Sequence, residues 1–121
     1  METIDKTGFP LQITFRQLES SPALEARIRE LASRLDKFSQ HILSCHVTVE
    51  PLPHHQHQGA LYNFHISLTV PDEEIAINRA HPLDQAHEDP YVALGDAFRA
   101  ARRKLEDYER KRRRDVKRHS M

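Results

Sequence analysis

Cysteine, glycine, net charge and long apolar runs are all scarce in this chain. Cys45 is the only cysteine among 121 residues, and the formal net charge is +0. A lone thiol permits no internal disulfide, which fits a reducing cytosol. The three glycines, Gly8, Gly59 and Gly95, are too scattered to form a Gly-rich phosphate loop. No apolar run approaches the roughly 18–20 residues that span a bilayer. The opening Met1-Glu2-Thr3-Ile4-Asp5-Lys6 has no apolar signal region. The expected location is cytoplasmic. With 38% hydrophobic and 30% charged residues, the chain suits one small soluble domain.

The missing net charge is a cancellation. Residues 99–118 hold 11 Lys and Arg against 4 Asp and Glu, a net of +7, so residues 1–98 carry −7. The cations lie on a helical pattern. Asp89-Pro90-Tyr91 reads as an N-cap followed by proline at the first helical position. From there Leu94, Phe98, Ala101, Leu105 and Tyr108 recur at steps of four and three, which places them on one side of a helix. Arg99, Arg102, Arg103, Lys104, Arg110 and Lys111 fall between and beyond them, and Arg112, Arg113, Arg114, Lys117 and Arg118 continue the run. Such a helix needs a core beneath it and offers a surface to polyanions.

The rest of the chain reads as a sheet with one more helix. Residues 1–9 resemble a loose polar arm. Leu11, Ile13 and Phe15 alternate with polar residues, a short half-buried strand. Ser21 as N-cap and Pro22 open a helix whose stripe is Leu24, Ile28, Leu31, Leu35 and Phe38. Arg27, Glu30, Arg34 and Lys37 lie beside the stripe, with Glu30 and Arg34 at a favourable i,i+4 spacing. Alternation over Leu43–Val49 predicts a second strand ending at Pro51, and alternation over Tyr62–Val70 a third. Pro71-Asp72-Glu73 is a turn, followed by a short strand over Glu74–Arg79. The polar stretch 51–60 is a loop and residues 81–88 are a connector.

The predicted order is therefore β-α-β-β-β-α. It is an α+β fold with a four-stranded sheet and two helices packed on one face. The last three strands form an antiparallel meander. The other sheet face, with Gln12, Thr14, His46, Thr48, Asn63, His65, Ser67 and Thr69, is expected to be wet. One domain is expected over residues 1–121, with a core over about 10–112 and with 1–9 and 113–121 as flexible ends.

Catalytic and metal candidates are weak. His54, His55 and His57 cluster, but with no cysteine or carboxylate at ligand spacing a solvated loop is the expectation. Cys45 points inward on its strand and reads as a small buried hydrophobe. Asp72, Glu73 and Glu74 read as a charged turn rather than an acid–base pair. Tyr91 and Tyr108 flank the apolar stripe and should pack, and no strand carries an aromatic RNA-reading motif. The expectation is a protein that is not an enzyme and uses no cofactor and no metal.

Several segments, in order, resemble the ribosome hibernation-promoting factors, including ribosome-associated inhibitor A. Ser21-Pro22-Ala23-Leu24 opens the first helix as in that family. Ser33-Arg34-Leu35-Asp36-Lys37-Phe38 is similar to its A-K-L-E-K-aromatic segment, and His87-Glu88-Asp89-Pro90-Tyr91-Val92-Ala93-Leu94 to its H-E-D-M-Y-x-A-I start of the second helix. Arg103 and Leu105 fall where that helix has R-Q-L. The resemblance covers about residues 10–112. Pro71-Asp72-Glu73 replaces a Gly-containing hairpin of the family, Pro90 stands in place of Met, and the first helix is less basic than in typical members.

The resemblance implies a stress protein that binds ribosomal RNA of the small subunit, in the channel where mRNA and tRNAs pass near the decoding centre. Bound there, it blocks translation and preserves idle ribosomes. Arg34, Lys37 and Arg103 match the family's RNA contacts, and Arg99, Arg102, Lys104, Arg110 and Lys111 suit the same role. The expected partner is the small subunit, with the protein a monomer off it and with no membrane and no small-molecule substrate. A short-form member is expected, since the 121 residues leave no room for the C-terminal domain by which long members pair two ribosomes. The rival readings are a stand-alone double-stranded-RNA-binding module, a basic adaptor for an acidic protein, and an enzyme using His or carboxylates.

Overall fold

Each predicted strand and helix is present in the computed structural model, which describes residues 7–51, 62–80 and 89–119. In chain order they are β1 (Leu11–Phe15), α1 (Pro22–Leu35), β2 (Ser44–Pro51), β3 (Tyr62–Val70), β4 (Glu73–Ala80) and α2 (Pro90–His119). The sheet order is β1-β2-β3-β4. β2, β3 and β4 form the antiparallel meander. β1 lies parallel to β2, from Leu11 opposite Cys45 to Phe15 opposite Val49. Adjacent parallel strands need a crossover, and α1 supplies it.

Register puts the apolar residues on one face. Val47 pairs with Ile66, and Ile66 with Ile77. Cys45, Val47, Val49, Phe64, Ile66, Leu68, Val70, Ile75 and Ile77 are all buried. Over them lie Leu24, Ile28, Leu31, Ala32 and Leu35 of α1 and Leu94, Phe98, Ala101, Leu105 and Tyr108 of α2. Ala93, Ala97 and Ala100 widen the buried face of α2 and let it lie close to β3 and β4. Both helices therefore cover the same side of the sheet.

Local chemistry sets the boundaries. The Ser21 hydroxyl accepts from the Leu24 amide at 3.2 Å, capping α1. The Asp89 carboxylate accepts from the Tyr91 amide at 2.9 Å and caps α2. α1 ends at Leu35, before the last residue of its apolar stripe, because the chain tightens: Lys37 N–H donates to Arg34 C=O at 3.2 Å and Phe38 N–H to Leu35 C=O at 2.9 Å. β4 begins at Glu73, one residue earlier than expected, since Val70 pairs with Glu73 and leaves Pro71-Asp72 as a two-residue turn. Asp72 takes φ 72° there. Proline at the first turn position and positive φ at the second describe a type II turn, where glycine is usual and Asp is tolerated.

The arm is shorter than the sequence suggested. Phe9 is 6% exposed and joins the core. Pro10 C=O accepts from Cys45 N–H at 3.0 Å, which ties the chain to β2 just before β1. α2 extends for 30 residues, about 45 Å at 1.5 Å per residue. Among the described side chains Tyr108 is the last buried apolar one of α2, and Arg110, Lys111, Arg113 and Arg114 beyond it are exposed. The His54–His57 loop and the 81–88 connector lie outside the described residues. Among the described residues no helix is long and apolar enough to cross a membrane.

Candidate nucleic-acid interface

The cations of the two helices meet in a groove of about 270 Å³ between α1 and α2. Its floor is apolar: Leu31, Leu35 and Phe38 from one side, Phe98 from the other. Its rim is cationic, with Arg27, Arg34 and Lys37 facing Arg99 and Arg102. Gly95 lies in the same wall, where a Cβ would meet only the Arg99 guanidinium at 3.7 Å. The phase of each helix explains the set. Steps of three and four share a face, so Arg27 and Arg34 run down one edge of α1's stripe, and the turn after α1 brings Lys37 to the same rim. Arg99 and Arg102 run down the facing edge of α2.

Most of these arginines are steadied by a carboxylate on their own helix. Glu30 accepts from Arg27 and from Arg34, each at 2.8 Å. The Arg27 hydrogen bond and charge, then those of Arg34, hold the Glu30 carboxyl below its ordinary range. Asp96 pairs with Arg99, and Glu106 accepts from Arg102 Nε at 3.2 Å. Exposed pairs of this kind contribute little to stability, so the arginines are oriented yet free to exchange a carboxylate for a phosphate. Arg102 also places its guanidinium carbon 4.2 Å from the centroid of the Phe38 ring, a cation–π contact between α2 and the turn after α1. Lys37 and Arg103 have no carboxylate partner among the described residues.

The other expected contacts lie elsewhere. Arg103 is exposed but does not line the groove, because one residue turns a helix by about 100°. Lys104, Arg110 and Lys111 line a second groove, of about 590 Å³, between α2 and the β4 edge. Lys104 Nζ donates to Ala76 C=O at 3.3 Å, capping an edge-strand carbonyl. That groove also holds Glu73, Glu74 and Asp107, and Asp107 pairs with Arg110.

One polar cluster had no sequence signal. Glu109 is buried, and its Oε2 accepts from the Ser39 hydroxyl and lies 2.7 Å from His41 Nδ1. Burial pushes the Glu109 carboxyl up, but hydrogen bonds from Ser39 and His41, with the charges of His41 and Arg112, outweigh it and hold the group below its ordinary value. Ser39 donates to the carboxylate itself and not to the imidazole, so the three groups lack the hydroxyl–imidazole–carboxylate order of a nucleophilic triad. The cluster pins α2 to the link between α1 and β2. Ser39 and Glu109 are 70 positions apart, and no periodicity joins them.

The open sheet face is polar and knitted across strands. His46 Nε2 lies 2.9 Å from the Thr14 hydroxyl, and Asn63 Nδ2 donates to Asn78 Oδ1 at 2.8 Å and Glu50 Oε2 at 3.2 Å. Glu74 accepts from Ser67 on this face. Neighbouring strand residues point to opposite faces, so Glu73 and Glu74 do not converge. Cys45 is 2% exposed, and burial pushes its thiol up to about 12, which leaves it protonated and inert at neutral pH. Tyr108 is buried and donates its hydroxyl to Pro71 C=O at 3.0 Å, while Tyr91 packs against the core. Among the described residues no cluster of three His, Cys, Asp or Glu could hold a metal.

Comparison with known proteins adds four findings. The model of the family described as Sigma 54 modulation protein / S30EA ribosomal protein matches residues 11–113. The fold is similar to the N-terminal domain of Protein Y from Thermus thermophilus, with TM-score 0.62 and 15% identity over 80% of this chain and 94% of that one. It is also similar to a ribosomal subunit interface protein from Coxiella burnetii, with TM-score 0.61 and 15% identity over 82% and 96%. No curated protein matches the chain in sequence at a significant level.

Proposed function

The chain belongs to the Sigma 54 modulation protein / S30EA ribosomal protein family, a family of ribosome-associated proteins, and on that premise we propose that it binds ribosomal RNA of the small subunit and holds translation off by occupying the mRNA and tRNA channel. This is the family indicated by the segments around Ser21, Lys37 and Asp89. The observation that carries the reading is the groove between the helices. Arg34 of α1, Lys37 of the turn that follows it, and Arg99 and Arg102 of α2 come from distant parts of the chain and share one cleft.

The chemistry is electrostatic. Ribosomal RNA is a dense anion, and Arg and Lys contacts to phosphate give affinity without reading sequence. The sheet fixes both helices, so the cations meet the RNA without a cost of ordering the backbone. Inhibition needs occupancy alone, and the protein acts as a monomer without cofactor or catalysis.

Sucrose-gradient sedimentation tests this reading. The protein should co-migrate with the small subunit and leave it as salt rises, with log affinity falling by nearly one unit per tenfold salt for each phosphate neutralised. Migration only with added duplex RNA would instead favour the double-stranded-RNA module. Migration with neither would favour the adaptor.

A further inference from the structure

The groove holds more than a phosphate surface requires. We propose that it takes one unpaired nucleotide of an RNA chain, its base stacked on the Arg102 guanidinium and its phosphates held by Arg99 and Lys37. The proposal rests on the ribosomal RNA reading above and names the part of the RNA that enters.

Arg102 is built as a stacking plane. Phe38 backs one face of its guanidinium at 4.2 Å, and Glu106 fixes its Nε at 3.2 Å. The side chain is nonetheless 51% exposed, so solvent reaches the plane that Phe38 and Glu106 orient. Bases stack on Arg planes as they do on aromatic rings. The floor under the rim, Leu31, Leu35 and Phe98, is apolar. Phosphates and riboses gain nothing from such a floor, whereas the face of a base does.

Size and chemistry narrow the occupant. The groove, at about 270 Å³, lies just under the ~300–1,000 Å³ of sites for drug-sized ligands, which suits one nucleotide. A paired base cannot enter, because A-form RNA keeps its bases stacked and its major groove too narrow for side chains. The polar residues of the lining are all cations, which lack the acceptor half of a base-edge code. Recognition is therefore of an unpaired base of any type, joined to a phosphate chain.

The test uses the full-length protein and a single-stranded uridine-rich hexanucleotide carrying one 2-aminopurine. Binding should quench the fluorophore. Arg102→Lys keeps the charge and removes the plane, so affinity should fall by about 5- to 150-fold, the range for loss of one base stack, with the salt slope unchanged. Arg79→Lys, on exposed β4 outside the groove, should match the parent protein. Equal affinity in Arg102→Lys overturns the proposal, as does equal affinity for the fully paired hexamer. Adenosine monophosphate binding as tightly as the oligonucleotide also overturns it, because the phosphate chain would then contribute nothing. Co-sedimentation with small subunits without quenching removes the stacking inference and leaves the ribosome reading standing. Quenching without co-sedimentation supports stacking and removes the ribosome reading.

Discussion

The two sides of α2 carry similar cations and build different surfaces. Toward α1, Arg99 and Arg102 join Arg34 and Lys37 over an apolar floor. Toward β4, Lys104, Arg110 and Lys111 meet Glu73, Glu74 and Asp107 beside a strand edge. The first groove is lined by five cations and no acid; the second is lined by four cations, Arg114 among them, beside Glu73 and Asp107, while Glu74 turns its carboxylate to Ser67 on the open sheet face. A run that is uniformly basic in sequence is thus divided by helical phase. Charge density along a chain measures attraction to polyanions, and only the partner of each face decides where a polyanion can sit.

Removing what both grooves stand on should have the largest effect. Phe64 is fully buried in the core that the sheet shares with the helices. Phe64→Ala should cost about 3–5 kcal/mol, lowering Tm by more than about 10 °C in a domain of this size. Thermal unfolding by circular dichroism reads this directly, and an unchanged Tm would place Phe64 outside the core.

Charge reversal separates the grooves. Arg99→Glu with Arg102→Glu should weaken small-subunit binding by about 10- to 100-fold, as several phosphate contacts are lost, and should relieve inhibition of translation in vitro. Lys104→Glu with Lys111→Glu should cost at most a few-fold. All four side chains are exposed, so both variants should stay folded. The reverse ranking, or loss of binding on truncation after Arg112 with no effect of the Arg99 and Arg102 reversal, would move the binding surface to the β4 side or the helix end. Truncation must spare Glu109, which anchors the helix.

Glu109 tests what keeps the helices in phase. Its carboxyl is held below its ordinary value, so its contribution is complete above the unfolded-state value of about 4.3 and is lost as pH falls through the folded-state value. Glu109→Gln should destabilise the protein at pH 7 by about 1–3 kcal/mol, typical of hydrogen bonds to a charged group. The gap in Tm between parent and variant should close toward pH 3. A gap that stays constant from pH 7 to pH 3 would show that the carboxylate charge contributes nothing.

The turn that starts β4 gives the smallest effect. Asp72 at φ 72° occupies a glycine conformation, so Asp72→Ala should lose about 1 kcal/mol while Asp72→Gly holds or gains slightly. A Tm higher for Ala than for Gly would exclude the type II turn.

Much of the fold was legible because its signals are local. Alternation from Tyr62 to Val70 and steps of four and three from Leu94 to Tyr108 need only the geometry of one element. The caps at Ser21 and Asp89 reach three and two residues along the chain. Reading failed where the partner is remote. Phe9 looked like part of a loose arm because its burial depends on the chain docking against β2. Glu109 has no local signal, since Ser39 and His41 enter only through the packing of α2.

The candidate site divides along the same line. That Arg34, Arg99 and Arg102 flank apolar stripes was settled by sequence alone, because backbone geometry dictates which residues share a helix face; Lys37, read as helical, lies instead in the turn after α1. The family was also legible, through short segments in order. Tertiary structure decided that those four cations share a cleft while Arg103 stands outside it and Lys104, Arg110 and Lys111 face β4. It also decided that Arg102 lies over Phe38. The reason is physical: periodicity specifies the azimuth of a side chain around its own helix, but the distance between two helices is set by how their buried faces pack on a common sheet.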